Sequence, residues 1–511
     1  MKKTKVLLIF PPFTVSSSDY PTPDPPLGLA YLAAFLEKKG YPVKILDALA
    51  LGIEQARRKK GGLLKVGLSD QEIKKAIVDY QPDVVGISCA YTAHAPDAHS
   101  VAALVKAVNS RALVVFGGAH ATVCAPLVLK DKNVDIVVLG EGELAFFEIV
   151  SRVEGKKDIS RVQSTCLRKG RGVITNPRQE FIANLNDLPS PAWHLLPMEI
   201  YLKKQEMTRE FSMRKPRTNI ITSRGCPGNC VFCSIHAIWG HRWRPRSPEK
   251  VVEEMAHLVK TYGVREFYVL DDNISLKKER LMKICDLIRK RGLDIRWATP
   301  NGVALWTLDK KLLKKMRESG YYRITFGIES GCPRTLKFIR KPMELKKAKK
   351  IIDLSNKTGL WTHSTFIIGF PDETREEIEE TVRWTIDSDL DFASYYIATP
   401  YPGTDLHREF IKDKLLKKGE EEKMYYSSIS VSGYDTLRLT KEELNQIRDE
   451  AYGRFFANRA RRYLNPFYSL PHIGRKIKDP EELLYFLKLL NNVFGMKLKS
   501  MVTGKFQSHY K

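Results

Sequence analysis

The chain lacks any window approaching the roughly 18 uninterrupted apolar residues of a membrane-spanning helix. Its one amino-terminal apolar run, Val6 to Phe10, stops at Pro11 and Pro12, too short for the core of an export signal. The protein is therefore expected in the cytoplasm. Neither a GxGxxG nor a Walker sequence follows that run, so the usual sequence grounds for a dinucleotide or P-loop site are missing. Cysteine is scarce. Of eight, Cys89, Cys124, Cys166, Cys285 and Cys332 stand isolated in sequence, which argues against a disulfide framework. Low-complexity bias is absent too: 43% hydrophobic and 28% charged residues describe a globular chain, and 511 residues suffice for two or three packed domains.

Acidic residues are the minority charge, 59 against 84 Lys and Arg, for a net charge of +25. The surplus reads first as a lysine-rich solvated surface. Its other reading is attraction to anionic substrates, nucleic acid or lipid headgroups.

What is present is an alternation of short apolar runs with amphipathic stretches. Up to about Val153 the runs are Val6–Phe10, Val43–Leu46, Val84–Ser88, Leu113–Phe116 and Ile136–Leu139. Strand-helix alternation of this kind predicts an α/β, doubly wound, Rossmann-like sheet with ligands outside the carboxyl ends of its strands. A second series predicts strands near Asn219–Thr222, Glu266–Leu270, Asp294–Ala298, Tyr322–Ile328, Trp361–Ile368 and Phe392–Ala398. Six such units fit a partial (β/α)6 TIM-type barrel, again with its site at the carboxyl ends. Ser247, Pro248 and Glu249 spell a helix start, and Gly263, Gly292, Gly320 and Gly359 fall where helices end. The expected domains are 1–155, a proline-marked linker 156–215, the barrel 216–410, and a small helical region 411–511 that is basic and aromatic.

The three remaining cysteines cluster: Cys226, Cys230 and Cys233 follow the first barrel strand, with Gly225 and Gly228 to let the loop curl. Three thiolates on one loop suit three irons of a cubane and leave the fourth open. Zinc is the alternative, with His236 as a fourth ligand, but zinc normally takes paired CxxC spacings and no second pair exists.

The segment RGCPGNCVFCS resembles the radical S-adenosylmethionine (SAM) superfamily. That resemblance implies a 4Fe-4S cluster whose open iron is chelated by SAM, with Phe232 approaching the adenine. YVLDDN, FGIESG, FIIGFPDET and TPYPGT match further barrel motifs in order. They imply Asp271 and Asp272 at the SAM amino group, and Glu329 and Ser330 at its ribose or methionine portion. No catalytic base is nominated, since the hard chemistry of such a site belongs to its cofactors.

The amino-terminal loops place Ser88, the Gly117–Gly118 pair, and Gly140 with Glu141 after successive strands, where small residues admit a planar ligand close to the backbone. With PPLGLAYLAAFLEKKGY they resemble the cobalamin-binding domain of cobalamin-dependent radical SAM enzymes. The DxHxxG motif that coordinates cobalt in other corrinoid proteins is absent, and His120 reads as a polar loop residue near the corrinoid rather than as a cobalt ligand.

Together these resemblances imply an enzyme that methylates an unactivated carbon, or phosphorus, by way of a 5′-deoxyadenosyl radical and methylcobalamin. Its partners would be a small-molecule or lipid substrate and an external one-electron donor. The alternatives are a radical cyclase or lipid carbon-carbon coupling enzyme on the same scaffold, and a non-catalytic iron-sulfur or corrinoid sensor. A nucleic-acid substrate is not expected, because the tRNA methylthiolases carry three further cysteines in a pattern this chain does not have. The basic carboxyl-terminal helices are expected to close the barrel, with contact to a membrane surface as their other reading.

Overall fold

The computed structural model describes residues 3–490 apart from 17–19, 171, 179, 205–211, 342, 418–419, 421–423 and 426–432. The last 21 residues of the expected helical region, 491–511, thus lie outside the described residues.

Buried aliphatic runs fix the first sheet. Its strands are β1 (Val6–Phe10), β2 (Val43–Asp47), β3 (Val84–Ser88), β4 (Leu113–Gly117), β5 (Ile136–Val138), β6 (Thr165–Lys169) and β7 (Gly172–Thr175), in the order β7-β6-β5-β4-β3-β1-β2. Strands β1 to β5 run parallel, as near-continuous apolar strands covered on both faces should. One buried cluster on each side of the sheet confirms this. The hairpin β6–β7 comes from the proline-marked segment after Val153 and adds two antiparallel strands at the β5 edge. Its side chains alternate too weakly to have stood out in sequence.

The second sheet holds β8 (Arg217–Ile220), β9 (Glu266–Val269), β10 (Arg296–Val303), β11 (Tyr321–Glu329), β12 (Trp361–Ile368) and β13 (Phe392–Ile397), all parallel and in sequence order. This is the six-stranded open barrel. Strand β10 runs five residues beyond its apolar stretch because a register shift between Thr299 and Val303 accommodates Pro300, which has no N–H to give to the ladder. Ser247 caps the first barrel helix, Pro248–Tyr262, and Gly263 ends it in the left-handed conformation.

Outward-facing Phe267, Ile324, Phe326, Phe366 and Ile397 join the helices in the largest core, and Trp193, Met198 and Tyr201 from the segment before β8 pack into the same core. Leu27 and Ala30 of the amino-terminal domain also belong to it, so the two domains share buried surface. Helices Lys441–Leu464 and Pro466–Lys476 and the helical residues 480–490 follow. Tyr485 and Leu489 enter the lumen beside Tyr268, Tyr322 and Trp361, which plugs the barrel from below. Lys476, fully buried, pairs with Asp391 and donates to Leu360 O at 2.9 Å, fastening this plug to the amino ends of β12 and β13. No helix among the described residues is long and apolar enough to cross a membrane.

Candidate functional site

The cysteine loop is framed before it begins. Ser223–Arg224 pairs antiparallel with Arg244–Pro245, tying off residues 225–243 as a closed excursion from the end of β8. Asp271, buried after β9, accepts from Thr222 N (2.5 Å), Thr222 Oγ1 (2.5 Å) and Ser223 Oγ (2.6 Å). Its carboxylate is thereby committed to holding the loop's entry strand. Gly225 takes φ +87°, and a Cβ there would lie 2.4 Å from Arg242 O, so only glycine fits. Its N–H donates to Asp272 at 3.1 Å. Burial, then its neighbour Asp271, push the Asp272 carboxyl up to about 6, although the Gly225 bond opposes them.

Cys226, Cys230 and Cys233 are part-buried free thiols on this loop. A Cβ on Gly228 would sit 3.4 Å from Cys226 Sγ and 4.0 Å from Cys230 Sγ, so the absent side chain keeps the space beside both sulfurs open. Burial pushes all three thiols up, Cys233 to about 12. Thiolates at such positions need a compensating cation, which bound iron supplies. Among the described residues no three His, Cys, Asp or Glu side chains converge on a single-ion position. An all-thiol donor set spread along one loop fits a multi-iron cluster.

Glu329 closes β11 at φ +69°, an unusual strain for a non-glycine residue. It accepts from Lys341 Nζ at 2.9 Å and from Thr365 Oγ1 at 3.2 Å. Burial alone would lower the Lys341 ammonium, but Glu329 and the nearby Cys230 and Cys233 raise it above its ordinary range. Lys341 therefore stands between an acidic strand end and the cysteine loop. It went unnoticed in sequence because lysines crowd that segment. Ser330 turns the other way, 2.9 Å from Thr381 Oγ1 and accepting from Cys332 N at 3.0 Å. Phe232 packs in an apolar cluster with Phe370, ring centroids 6.5 Å apart.

Between the two sheets' carboxyl ends lies a cavity of about 810 Å³. Ser88, Gly117, Gly118, Gly140 and Glu141 line it from the amino-terminal side, and Arg217, Asn219, Tyr268 and Asn301 from the barrel. Arg224, Ile235, Ile238 and Trp239, which flank the cysteine loop, complete the wall. A Cβ on Gly117 would meet nothing within 4 Å. A bare glycine face over a cavity of this volume is a fit for a large planar cofactor. His120 is not on that wall: it is buried in the helix Ala119–Val123, with Nδ1 3.0 Å from Thr92 Oγ1 and its ring facing Tyr425. Burial holds its imidazole down to about 4.

Two family models match in chain order, the B12 binding domain over residues 18–150 and the radical SAM superfamily over 220–385. An uncharacterized methyltransferase of Pyrococcus horikoshii is 36% identical over 89% of this chain and 93% of its own length. The chain belongs to the cobalamin-dependent radical SAM enzymes. Cytidylyl-2-hydroxyethylphosphonate methyltransferase of Streptomyces wedmorensis is 35% identical over 82% of this chain and 84% of that protein. An anaerobic magnesium-protoporphyrin IX monomethyl ester cyclase of Rubrivivax gelatinosus is 29% identical over 89% and 78%. The fold resembles the radical SAM methyltransferase TsrM from Kitasatospora setae, solved with cobalamin and a [4Fe-4S] cluster, at TM-score 0.65 and 17% identity over 81% of this chain and 78% of that one.

In a radical SAM enzyme that also holds a corrinoid, the two cofactor regions must keep a fixed relation, and Arg224 provides one. Immediately before Gly225, its buried guanidinium donates to Glu141 at 3.0 Å and Glu143 at 2.7 Å, while lying over the Tyr31 and Trp239 rings. Arg244 reaches Glu141 as well, at 2.8 Å, so both strands framing the cysteine loop are ionically fastened to one loop of the amino-terminal domain. Sequence offered no signal for this pairing across some eighty residues. Arg224→Met should leave Glu143 buried without its partner and lower stability by about 3 kcal/mol, read as a fall in the denaturation midpoint of the reconstituted protein.

Proposed function

We propose that this radical SAM enzyme transfers a methyl group to an unactivated carbon or phosphorus centre of a small-molecule substrate bound in the interdomain cavity. The observation that carries the reading is that one cavity is walled on one side by the glycine face of the B12-binding domain and on the other by residues flanking the cysteine loop. Cys226, Cys230 and Cys233 would hold the cluster, leaving one iron for SAM. Phe232, Asp272 and Glu329 would surround SAM, with Asp271 and Ser330 holding the strand ends beneath it. Ser88, Gly117, Gly118, Gly140 and Glu141 would carry the corrinoid, and His120 would back that loop without reaching the ligand. With its groups bound, such a site obtains one electron from the cluster, a hydrogen-abstracting radical from SAM and a methyl group from the corrinoid. The chain's own task is to orient these groups and keep water from the radical, which the buried Tyr485 plug and the shared domain core serve.

We place the enzyme in the cytoplasm, where its eight free cysteines would stay reduced. The exposed Leu464, Phe467 and Leu470 beside the basic Arg461 and Arg462 would suit contact with a lipid surface and hence a lipid substrate. The similarity to the cyclase favours a second reading, radical ring closure on the same chassis.

Isotope transfer separates the two. With SAM carrying a deuterated methyl group, a methylase yields product labelled with that methyl; product without label means cyclisation or coupling, and overturns the first reading.

A further inference from the structure

Electrons must enter the site from outside, and the fold gives the cysteine loop one thin, basic flank. Val231, between Cys230 and Cys233, donates its N–H to Ile339 O at 3.3 Å. Val231 and Phe232 share one apolar cluster with Leu336, Ile339, Met343 and Leu345. On the outer side of that segment runs an open groove of about 660 Å³, with an apolar floor of Pro333, Leu336, Met343 and Leu345. Its charged lining is Lys337, Arg340, Lys341 and Lys346 against Glu344; Arg340 pairs with Asp405 and Lys341 with Glu329, so the cations presented to solvent are chiefly the exposed Lys337 and Lys346. Lys347, Lys349 and Lys350, all exposed, extend the positive surface along the helix Leu345–Lys357. Lys341 runs inward from this groove to Glu329, so a single side chain connects the basic surface with the strand end beside the cysteines.

We propose that this groove is the docking site of a small acidic one-electron carrier protein, of the iron-sulfur or flavin class, which reduces the cluster. The inference rests on the radical SAM reading of the cysteine loop. The donor loses one electron and is oxidised by one; the cluster held by the three cysteines gains it; no bond is made or broken and no proton moves. Charge complementarity of this kind accelerates encounter more than it tightens the complex, and electron-transfer complexes are small and transient. A shallow floor with a dense basic rim suits such a partner. A large apolar face would instead suit a permanent subunit. The short path through Ile339 and Val231 puts the docked carrier on the back of the cysteine loop, away from the interdomain cavity where substrate must enter.

The test uses the full-length reconstituted enzyme and two reductants: dithionite, which needs no docking surface, and reduced flavodoxin, an acidic flavoprotein. The triple variant Lys337→Glu, Lys346→Glu, Lys347→Glu should form 5′-deoxyadenosine from SAM at the wild-type rate with dithionite. With flavodoxin its rate should fall roughly tenfold or more, the scale of electrostatic steering. A control triple variant with the same charge change on the amino-terminal domain, Lys74→Glu, Lys130→Glu, Lys132→Glu, all exposed, should keep the flavodoxin-driven rate. The proposal is overturned if the groove variant keeps that rate, or if the control variant loses as much of it. Wild-type enzyme that forms no 5′-deoxyadenosine even with dithionite would instead overturn the radical reading beneath it. A groove variant slowed equally with both reductants would show that the lysines support the cluster loop and not a partner, which also overturns docking.

Discussion

Gly117→Phe is expected to abolish corrinoid binding while leaving SAM cleavage intact. Gly117 is the last residue of β4 and lines the interdomain cavity, and a Cβ there would meet no atom within 4 Å. Its backbone is not in the left-handed region, so a side chain is admitted without strain. The added ring would occupy cavity space and leave the core alone. Overpacking of this order costs about 3 kcal/mol or more, a loss of at least about a hundredfold in affinity. The neighbouring Gly118 makes the contrast. At φ +107°, with a Cβ that would fall 2.9 Å from Cys89 O, Gly118→Ala should strain the fold itself by about 1–3 kcal/mol. The readout is the visible spectrum of protein incubated with hydroxocobalamin and then desalted, alongside 5′-deoxyadenosine formed with dithionite. A Gly117→Phe protein that retained a full corrinoid complement would place the corrinoid elsewhere. One that lost SAM cleavage as well would show that the glycine face serves the fold and not a ligand.

Local chemistry was readable in the sequence where short-range rules decide it. The apolar runs of the first sheet became β1 to β5 almost residue for residue, because parallel strands buried on both faces must be apolar throughout, whereas the barrel strands, which carry polar residues on one face, fell within two residues of their expected ends except at the carboxyl end of β10. Ser247 and Gly263 act as cap and stop because their preferences depend on backbone geometry within one turn. The CxxxCxxC loop was legible for the same reason. Side-chain direction was not. Asp271 and Asp272 are adjacent in sequence, yet the first faces Thr222 and Ser223 under the loop and the second faces Gly225 on it. Glu329 and Ser330 likewise point apart, one to Lys341 and the other to Thr381, because the chain turns at Glu329, φ +69°, where β11 ends. Long-range ionic partners were invisible altogether: nothing within a few residues of Arg224 announces Glu141 and Glu143, or of Lys476 announces Asp391. His120 stood beside the right glycines, but the helix it opens turns its ring back into the domain, toward Thr92.

Cys226→Ala, Cys230→Ala and Cys233→Ala should each abolish both the cluster and reductive SAM cleavage. The three sulfurs sit on one tied-off loop, and among the described residues no group of three His, Cys, Asp or Glu side chains stands ready to hold a metal ion in their stead. Losing one thiol of three therefore removes a third of the anchorage, and none of the remaining thiols can be replaced locally. The loop itself should survive, because its shape is set by Asp271 and Asp272 and by the Ser223–Arg224 pairing, none of which involves a cysteine sulfur. The variants should thus melt like the wild-type protein freed of its cluster, which distinguishes a lost ligand from a lost fold. Cys285→Ala provides the counterpart: its thiol is fully buried in the barrel core, so the substitution should cost about 1 kcal/mol of stability through lost packing while iron content and 5′-deoxyadenosine formation stay unchanged. Iron and sulfide analysis after anaerobic reconstitution, with the visible charge-transfer band as a second readout, checks the series. Any one of the three loop variants that kept four irons and full SAM cleavage would remove the cysteine loop from the centre of this enzyme's chemistry.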